Sequence, residues 1–560
     1  IGKTQESATL IALVFDEGVA SVDVNYPDAG KINIHVKDSD NETIIGQAQS
    51  IVNPLVLKIA SVSDNPAENN GYDAATSDSA FIRAAVRSHS TLVDVDTFDL
   101  TIKAVMSCNS TLTQVLDNCT AGENTITPSF NNKITLLPSL IFPSNDSAAL
   151  GTVHSQEGAN ELTLEMTGGE LTYSDLSYDE VGVLGLQASS PDYIATDNDI
   201  TLSEVKEIGR FYPAYLAYGG HSYNAGCQGF TYMSVSDSSD TDDILLGEST
   251  VTINYAMQAK AQMSADSADA TEKTTVNYDH SLGYPVAPTD NFSDVAYSKA
   301  TLLDVSERIL PKSYYDETQW QSGVYTITAL AMSLQKKSLT DIDGPYFASM
   351  PSASSSDDQI EYYIQLTGVD GETLQNDDAT CGNYGCRLPA DADSSSLGDF
   401  AYGRLHAGNG HGSEHQLIRT LTQALYFNGS EFVPFAEDSC TPILDAQLSA
   451  IPTMSRDDQT KNQIEVGSGT TTLTILDAAL NAGKGYLEFS ASGSTGSLDY
   501  YIRLKGLSDN SLYTPWLLDS GNAEACPDET GSLTDCISGH VEFGLFRGND
   551  RVIYRMQTFD

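Results

Sequence analysis

Apolar and polar side chains alternate strictly along much of this chain. Phe98-Asp-Leu-Thr-Ile-Lys-Ala and Val251-Thr-Ile-Asn-Tyr-Ala-Met repeat with period two, the spacing of a half-buried antiparallel strand. Clusters of Asp, Asn, Ser and Gly separate such runs, as turns require. Helical periodicity is scarce, and Ile475 to Ala482 is the clearest stretch that carries it. The longest apolar runs, Ala8 to Phe15 and Ile134 to Phe142, fall short of the roughly 18 residues of a membrane span and read as buried strands. Frequent strands with almost no helices predict an all-β chain of tandem immunoglobulin-like sandwiches followed by a C-terminal β-rich module.

Internal repeats support that division. A glycine followed by alternation recurs in Tyr26-Pro-Asp-Ala-Gly30-Lys-Ile, in Tyr178-Asp-Glu-Val-Gly182-Val-Leu and in Trp320-Gln-Ser-Gly323-Val-Tyr, with glycines 152 and then 141 residues apart. A second marker, Thr127-Pro-Ser-Phe130-Asn, resembles Thr275-Val-Asn-Tyr278-Asp at an offset of 148 residues. An acidic residue and a glycine would turn the chain at a corner before the next strand enters the core. Tyr26 and Tyr178 stand ready as corner tyrosines whose hydroxyls bond to backbone. On this basis residues 1–52 are the C-terminal part of one sandwich. Residues 53–205 and 206–345 are two further immunoglobulin-like sandwiches, and 346–560 form the C-terminal β module.

Charge narrows the partners. With 77 Asp+Glu against 28 Lys+Arg, the formal net charge is −49 over 560 residues. Such a polyanion repels nucleic acid phosphates and anionic headgroups, which disfavours both as partners. The acid is spread along the chain, as on a solvated surface suited to salty water. Asp38-Ser39-Asp40-Asn41 and Asp237 to Asp243 are the calcium candidates, though neither has the full Asp-x-Asp-x-Asp-Gly spacing. No cofactor is otherwise expected.

Eight cysteines fall at 108, 119, 227, 381, 386, 440, 526 and 536. Cys108 with Cys119, Cys381 with Cys386 and Cys526 with Cys536 form close pairs without the Cys-x-x-Cys knuckles or histidines of a zinc site. Local disulfides, and with them an oxidising compartment, account for them. Elimination alone leaves Cys227 and Cys440 for a bridge across domains. No basic segment followed by an apolar one opens the chain at Ile1, so a leader has been removed or the sequence begins inside a longer protein.

Enzyme signatures are missing: there is no Gly-x-Ser-x-Gly elbow, His-Glu-x-x-His or P-loop. His406, His411 and His415 with Glu414 are the best metal candidate. On a strand, however, positions 411 and 415 stand about 13 Å apart, so solvent-facing histidines are expected. Gly408-Asn-Gly410-His-Gly412 lacks the helix of a dinucleotide loop. Trp320 and Trp516 read as core residues, and Arg404, Arg547 and Arg551 as partners of buried carboxylates.

Glu207-Ile-Gly-Arg-Phe-Tyr-Pro213 precedes Cys227-Gln-Gly-Phe-Thr-Tyr-Met233, Thr340-Asp-Ile-Asp-Gly344 and Tyr402-Gly-Arg-Leu405. Gly412-Ser-Glu414, Leu425-Tyr-Phe-Asn-Gly429 and Asp438-Ser-Cys-Thr441 follow, and the chain closes on Val541-Glu-Phe-Gly-Leu-Phe-Arg-Gly-Asn-Asp-Arg-Val-Ile-Tyr554. This order resembles the large C-terminal domain, of unknown function, in MshQ-like proteins. Those are encoded with the mannose-sensitive haemagglutinin (MSHA) type IV pilus of aquatic Gram-negative bacteria. The resemblance is strongest after residue 205, and His406, His411 and His415 depart from the family's pattern. It implies a secreted, extracellular cell-surface or pilus-associated structural or adhesive protein that performs no catalysis. Its partners would be pilus or other surface proteins, surface glycans or further copies of itself, with no membrane insertion. Two other readings stand beside it: a carbohydrate-binding or carbohydrate-active β-sandwich protein, and a self-assembling extracellular filament subunit.

Overall fold

A computed structural model describes residues 12–22, 26, 28–37, 45–63, 82–86, 97–106, 126–155, 158–159, 162–195, 200–201, 205–227, 229–235, 247–263, 273–298, 303–310, 314–337, 359–375, 381–388, 397–452, 462–504, 514–518, 524–527 and 533–544. Strands dominate, and no α-helix occurs among the described residues. The architecture is tandem β-sandwiches. Two compact units emerge, one of Ile1–Tyr215 with Ala259–Pro285 and Gln321–Gly323, the other of Leu216–Gln258, Val286–Trp320 and Val324–Asp560.

In the first unit, one sheet runs in the order Thr163–Met166, Asn132–Phe142, Gly182–Ser190, Lys206–Tyr212 and Ile82–Arg83. The other runs Val56–Ser63, Phe98–Val105, Glu170–Tyr178, Val153–Ser155 and Gly158–Ala159. Alternation does what the pattern predicts: along Phe98–Val105, Phe98, Leu100, Ile102 and Ala104 are buried and the residues between them are half-buried. They share a core with Ile134, Leu136, Leu184, Leu186 and Phe211. Each large side chain so buried contributes about 1.5–3 kcal/mol. The Ile134 to Phe142 run is a strand, though only Ile134 and Leu136 in it are buried and Leu137 is exposed, and the earlier apolar run is not a buried one. Val14 and Phe15 are 88% and 61% exposed, and residues 8–11 lie outside the described residues. Gly30–Lys37 and Ile45–Val52 pair antiparallel as a two-stranded sheet.

Among the described residues one corner is built three times. In each, an alanine on a strand, a four-residue loop and a two-residue turn lock together through backbone hydrogen bonds. The loops are Thr127–Phe130, Thr275–Tyr278 and 435–438. The glycine N–H of the turn donates to the last loop carbonyl: Gly169 to Phe130 (3.1 Å), Gly323 to Tyr278 (3.0 Å), Gly483 to Asp438 (2.6 Å). The glycine carbonyl accepts from Ala104 (2.9 Å), Ala259 (2.8 Å) and Ala424 (2.9 Å). Each alanine carbonyl accepts in turn from the first loop residue, Thr127, Thr275 or Phe435, at 2.9 Å. The turns have two consecutive positive φ values, 71° and 77° at Gly168-Gly169, 48° and 76° at Ser322-Gly323, 47° and 72° at Ala482-Gly483. That is the hairpin turn whose twist matches its strands. Glycine is required at the second position for a further reason. A Cβ there would lie 2.4, 2.3 or 2.1 Å from the carbonyl oxygen of Thr127, Thr275 or Phe435.

The threonine marker therefore identifies true equivalents, and the glycine marker mixes two kinds. Gly323 corresponds to Gly169, a turn residue. Gly30 and Gly182, with φ of 135° and 125°, each open a strand instead. Alternation follows both kinds of glycine, so period alone does not separate them. The helical stretch expected at Ile475 to Ala482 is likewise absent. It leaves the Gly469–Ile475 strand and ends in the third corner, with Leu480 N–H bonded to the Thr441 carbonyl at 2.9 Å.

In the second unit, one sheet orders Ile309–Leu310, Val324–Leu334, Val251–Lys260, Tyr215–Asn224 and Leu374–Gln375. Another orders Phe292–Ser298, Ile360–Leu366, Gly385–Leu388 and Cys381–Gly382. Towards the C-terminus, the sheet containing Ile418–Phe427 and Lys484–Phe489 shares one core with the sheet containing Gly496–Arg503 and Leu533–Phe543. Phe230–Tyr232 pairs in parallel with Asp399–Ala401, and Phe230 and Tyr232 enter that same core.

Candidate functional site

A buried polar site lies in the first unit, where Asp179-Glu180-Val181 leads into Gly182. Glu180 is 1% exposed. Its Oε1 accepts the backbone N–H groups of Val181 (2.9 Å) and Asn277 (3.1 Å), and its Oε2 accepts that of Val276 (3.0 Å). The carboxylate thus caps the second corner loop. Asn277 grips back: its Nδ2 donates to the Ala149 carbonyl at 2.7 Å, and its Oδ1 accepts the Ala149 N–H at 2.8 Å. Burial disfavours the charged form, and despite three N–H donors it pushes the Glu180 carboxyl up to about 7.

Asp179 takes the opposite course. Burial works against its charge too, but bonds from His154 Nε2 (3.1 Å), Lys273 and the Thr152 N–H (2.7 Å) outweigh it. Its carboxyl is held below the ordinary range. The neighbouring Tyr178 hydroxyl accepts the Gly151 N–H at 2.9 Å, tying this tyrosine to backbone. Tyr26, 39% exposed, stands at the matching position of the preceding repeat.

The cap recurs. Asp28 Oδ1 accepts the N–H groups of Ala29 (2.7 Å) and Ser129 (3.0 Å). Asp28-Ala29-Gly30 matches Glu180-Val181-Gly182, and Ser129 holds in the first corner loop the place that Asn277 holds in the second. An acid two residues before a strand-opening glycine holds the corner of the following repeat. The acid and the glycine were visible in the sequence; the backbone they hold, about 100 residues on, was not.

Two buried polar knots among the described residues of the second unit bear on the candidate residues. Cys227 and Cys440 form a disulfide with Cα atoms 5.8 Å apart. Beside it Asp438, fully buried, accepts the N–H groups of Cys440 (3.1 Å) and Thr441 (3.0 Å) and the Tyr232 hydroxyl (2.7 Å). Burial, and then the Asp438 charge, raise the Tyr232 hydroxyl well above its ordinary value. Lys336, 1% exposed, donates to the carbonyls of Gly403 (2.9 Å), Trp516 (2.7 Å) and Leu518 (2.8 Å). Its ammonium also sits 4.3 Å from the centre of the Tyr402 ring. Nothing in the periodicity singled out this lysine.

The residues weighed as candidates for chemistry are scattered. His411 lies 3.5 Å from Glu542 and His415 3.5 Å from Glu414, while His406 is exposed on the Gly403–Ala407 strand. Among the described residues, the one group of side chains with converging metal-ligand atoms is Cys227, Asp438 and Cys440, and its two sulfurs are bonded to each other. Cys381 and Cys386 form a second disulfide. Cys536 is bonded as well, while Cys526 is placed on the strand Glu524–Pro527 without a described side chain. Cys108, Cys119, Arg547, Arg551 and both calcium candidate loops lie outside the described residues. Trp320 and Trp516 are buried, and the Trp320 Nε1–H donates to the Tyr315 hydroxyl at 2.7 Å. Arg404 stacks 3.6 Å from the centre of the Phe432 ring.

Comparison with known proteins adds a family. Residues 180–384 match the third domain of DUF6701 and residues 401–557 its fourth domain, together more than half of the chain. The structure is similar to that of FdeC, a broadly conserved Escherichia coli adhesin eliciting protection against urinary tract infections. Identity is 9% and the TM-score 0.30, over 81% of this chain and 92% of that one. It is also similar to invasin, a bacterial integrin-binding protein, at 8% identity and a TM-score of 0.21, over 80% of this chain and 57% of that one. No curated protein matches the sequence.

Proposed function

Since the chain belongs to the DUF6701 family, we propose that it is a non-catalytic, pilus-associated surface protein of the MshQ type, a β-sandwich stalk that displays its C-terminal module for attachment. The observation that carries this reading is the repeated acid cap. Asp28 and Glu180 each hold the backbone of the next repeat's corner loop. A carboxylate aimed at fixed N–H groups resists bending where an unbonded linker would not.

Other features support the same reading. Disulfides such as Cys227–Cys440 and Cys381–Cys386 persist outside the cytosol. A net charge of −49 keeps an extended surface soluble and screened in salt water. Among the described residues no helix is long and apolar enough to cross a membrane. The order of motifs from Glu207 to Tyr554 resembles that of MshQ-like proteins and supports the proposed link to the MSHA pilus system.

The test is genetic and topological. Surface labelling of intact cells should reach the protein, and deletion of its gene should reduce attachment or pilus assembly. A deletion strain that attaches and assembles pili normally would end the proposal.

A further inference from the structure

The sheet of Phe292–Ser298, Ile360–Leu366, Gly385–Leu388 and Cys381–Gly382 buries one face and leaves the other partly open, with Gln365 exposed, Tyr297, Tyr363 and Arg387 half-buried and Glu361 buried. Ile360, Tyr362, Ile364 and Leu366 point to the core. The alternate positions put Glu361, Tyr363 and Gln365 on the outer face, where Tyr297 pairs across from Glu361 and Arg387 across from Tyr363. Tyr384 joins them from the tip of the Cys381–Cys386 hairpin. Ring centres lie 4.9 Å apart for Tyr297 and Tyr384, 6.0 Å for Tyr363 and Tyr384, and 6.4 Å for Tyr297 and Tyr363.

Two constraints hold this face in shape. The Cys381–Cys386 disulfide closes the hairpin across only four residues, so the loop under Tyr384 has little freedom. Gly385, at φ 106°, lets that hairpin lie against the Ile364 carbonyl, which a Cβ would approach to 2.3 Å. Polar groups are fixed between the rings as well. Glu361 accepts from Arg387 Nη1 at 2.9 Å and from the Tyr363 hydroxyl at 2.7 Å. Tyr384 nevertheless remains 54% exposed.

We propose that this tyrosine face is a binding site for neutral saccharides. A pyranose ring would lay its C–H face on Tyr384 and Tyr297, whose π faces are electron-rich. Its hydroxyls would bond the edge of the Glu361–Arg387 pair and the Gln365 amide. Size favours a sugar over a folded partner: only Tyr384 of the three rings is more than half exposed, so the patch offers well below the roughly 800 Å² per partner of a stable protein interface. Charge selects a neutral ligand, since a carboxylate lies among the rings and the chain carries −49 overall. This inference rests on the surface-attachment reading and deepens it by naming what is touched.

The experiment uses the full chain with a printed array of neutral glycans. Saturation-transfer NMR with cellohexaose, maltohexaose and laminarihexaose accompanies it, and heparin serves as the anionic control. Saturation should reach sugar ring protons of at least one neutral oligosaccharide. Tyr384→Ala and Tyr297→Ala should each weaken that binding at least tenfold, while Tyr384→Phe, which keeps the ring, should stay within about threefold. Tyr384 is 54% exposed and Tyr297 half-buried on the outer face, so unchanged thermal melts certify the variants. No binding to any neutral glycan, or binding indifferent to both alanine variants, overturns the site. Either result leaves the surface-display reading standing, because labelling of cells and the deletion phenotype are measured without any glycan.

Discussion

Glu180 offers the sharpest test of how this chain is held together. Glu180→Ala removes the acceptor of three backbone N–H groups, those of Val181, Val276 and Asn277, in a site only 1% exposed. An orphaned buried N–H costs about 1–3 kcal/mol, and water entering the vacated space recovers part of that. A loss of about 2–5 kcal/mol follows. The pH dependence is more specific still. The folded-state carboxyl titrates at about 7 against an ordinary 4.5, because burial penalises its charge. A carboxyl raised on folding contributes stability that is complete below its unfolded value and lost as pH rises through the folded one. Between pH 4.5 and 8, Glu180 should therefore withdraw on the order of 3 kcal/mol from the wild type. Glu180→Gln stays neutral throughout, so it should gain on the wild type by that amount over the same window. Thermal and urea unfolding of both chains at pH 4.5, 6, 7 and 8 reads the difference. A wild-type-minus-Gln difference that is flat with pH, or an alanine variant within about 1 kcal/mol of wild type, would refute the reasoning.

Four further outcomes follow from the geometry. Lys336→Met leaves three buried carbonyls without their shared donor and should cost about 2–4 kcal/mol in unfolding, partly offset because a buried ammonium is no longer desolvated. Gly169→Ala, Gly323→Ala and Gly483→Ala each set a Cβ against a carbonyl in a positive-φ turn, and thermal melts should show each losing about 1–3 kcal/mol. Gly168→Asn, at a position with open space where the other corners carry serine and alanine, should stay within about 0.5 kcal/mol. Replacing Cys227 and Cys440 together by serine opens a loop of sequence separation 213, which the chain-entropy estimate values at about 5 kcal/mol, measurable as a lower denaturant midpoint.

The cap at Glu180 and the disulfide beside Asp438 solve the same problem by different means. Each fastens a corner loop to chain far away in sequence, one by a carboxylate aimed at backbone, the other by a covalent bond. In the third corner the loop itself ends in Asp438, whose carbonyl serves the turn while its carboxylate binds Tyr232 and the backbone beside Cys440. A backbone frame that leaves side chains free accommodates both devices.

Read alone, the amino-acid sequence already determined that this protein is made of strands, since alternation with period two is a local property and each strand carries its own record of which face is buried. The offset between Thr127 and Thr275 also marked equivalent corners, because the same backbone hydrogen bonds demand the same short loop. Tertiary structure alone decided which glycine matched which: turn and strand-opening glycines look alike when only the residues after them are read. It alone showed Asp28 and Glu180 gripping loops about 100 residues away, Lys336 among three carbonyls, and three tyrosines meeting on one sheet face. Those contacts depend on strand order and register, and a pattern of neighbouring residues does not contain either.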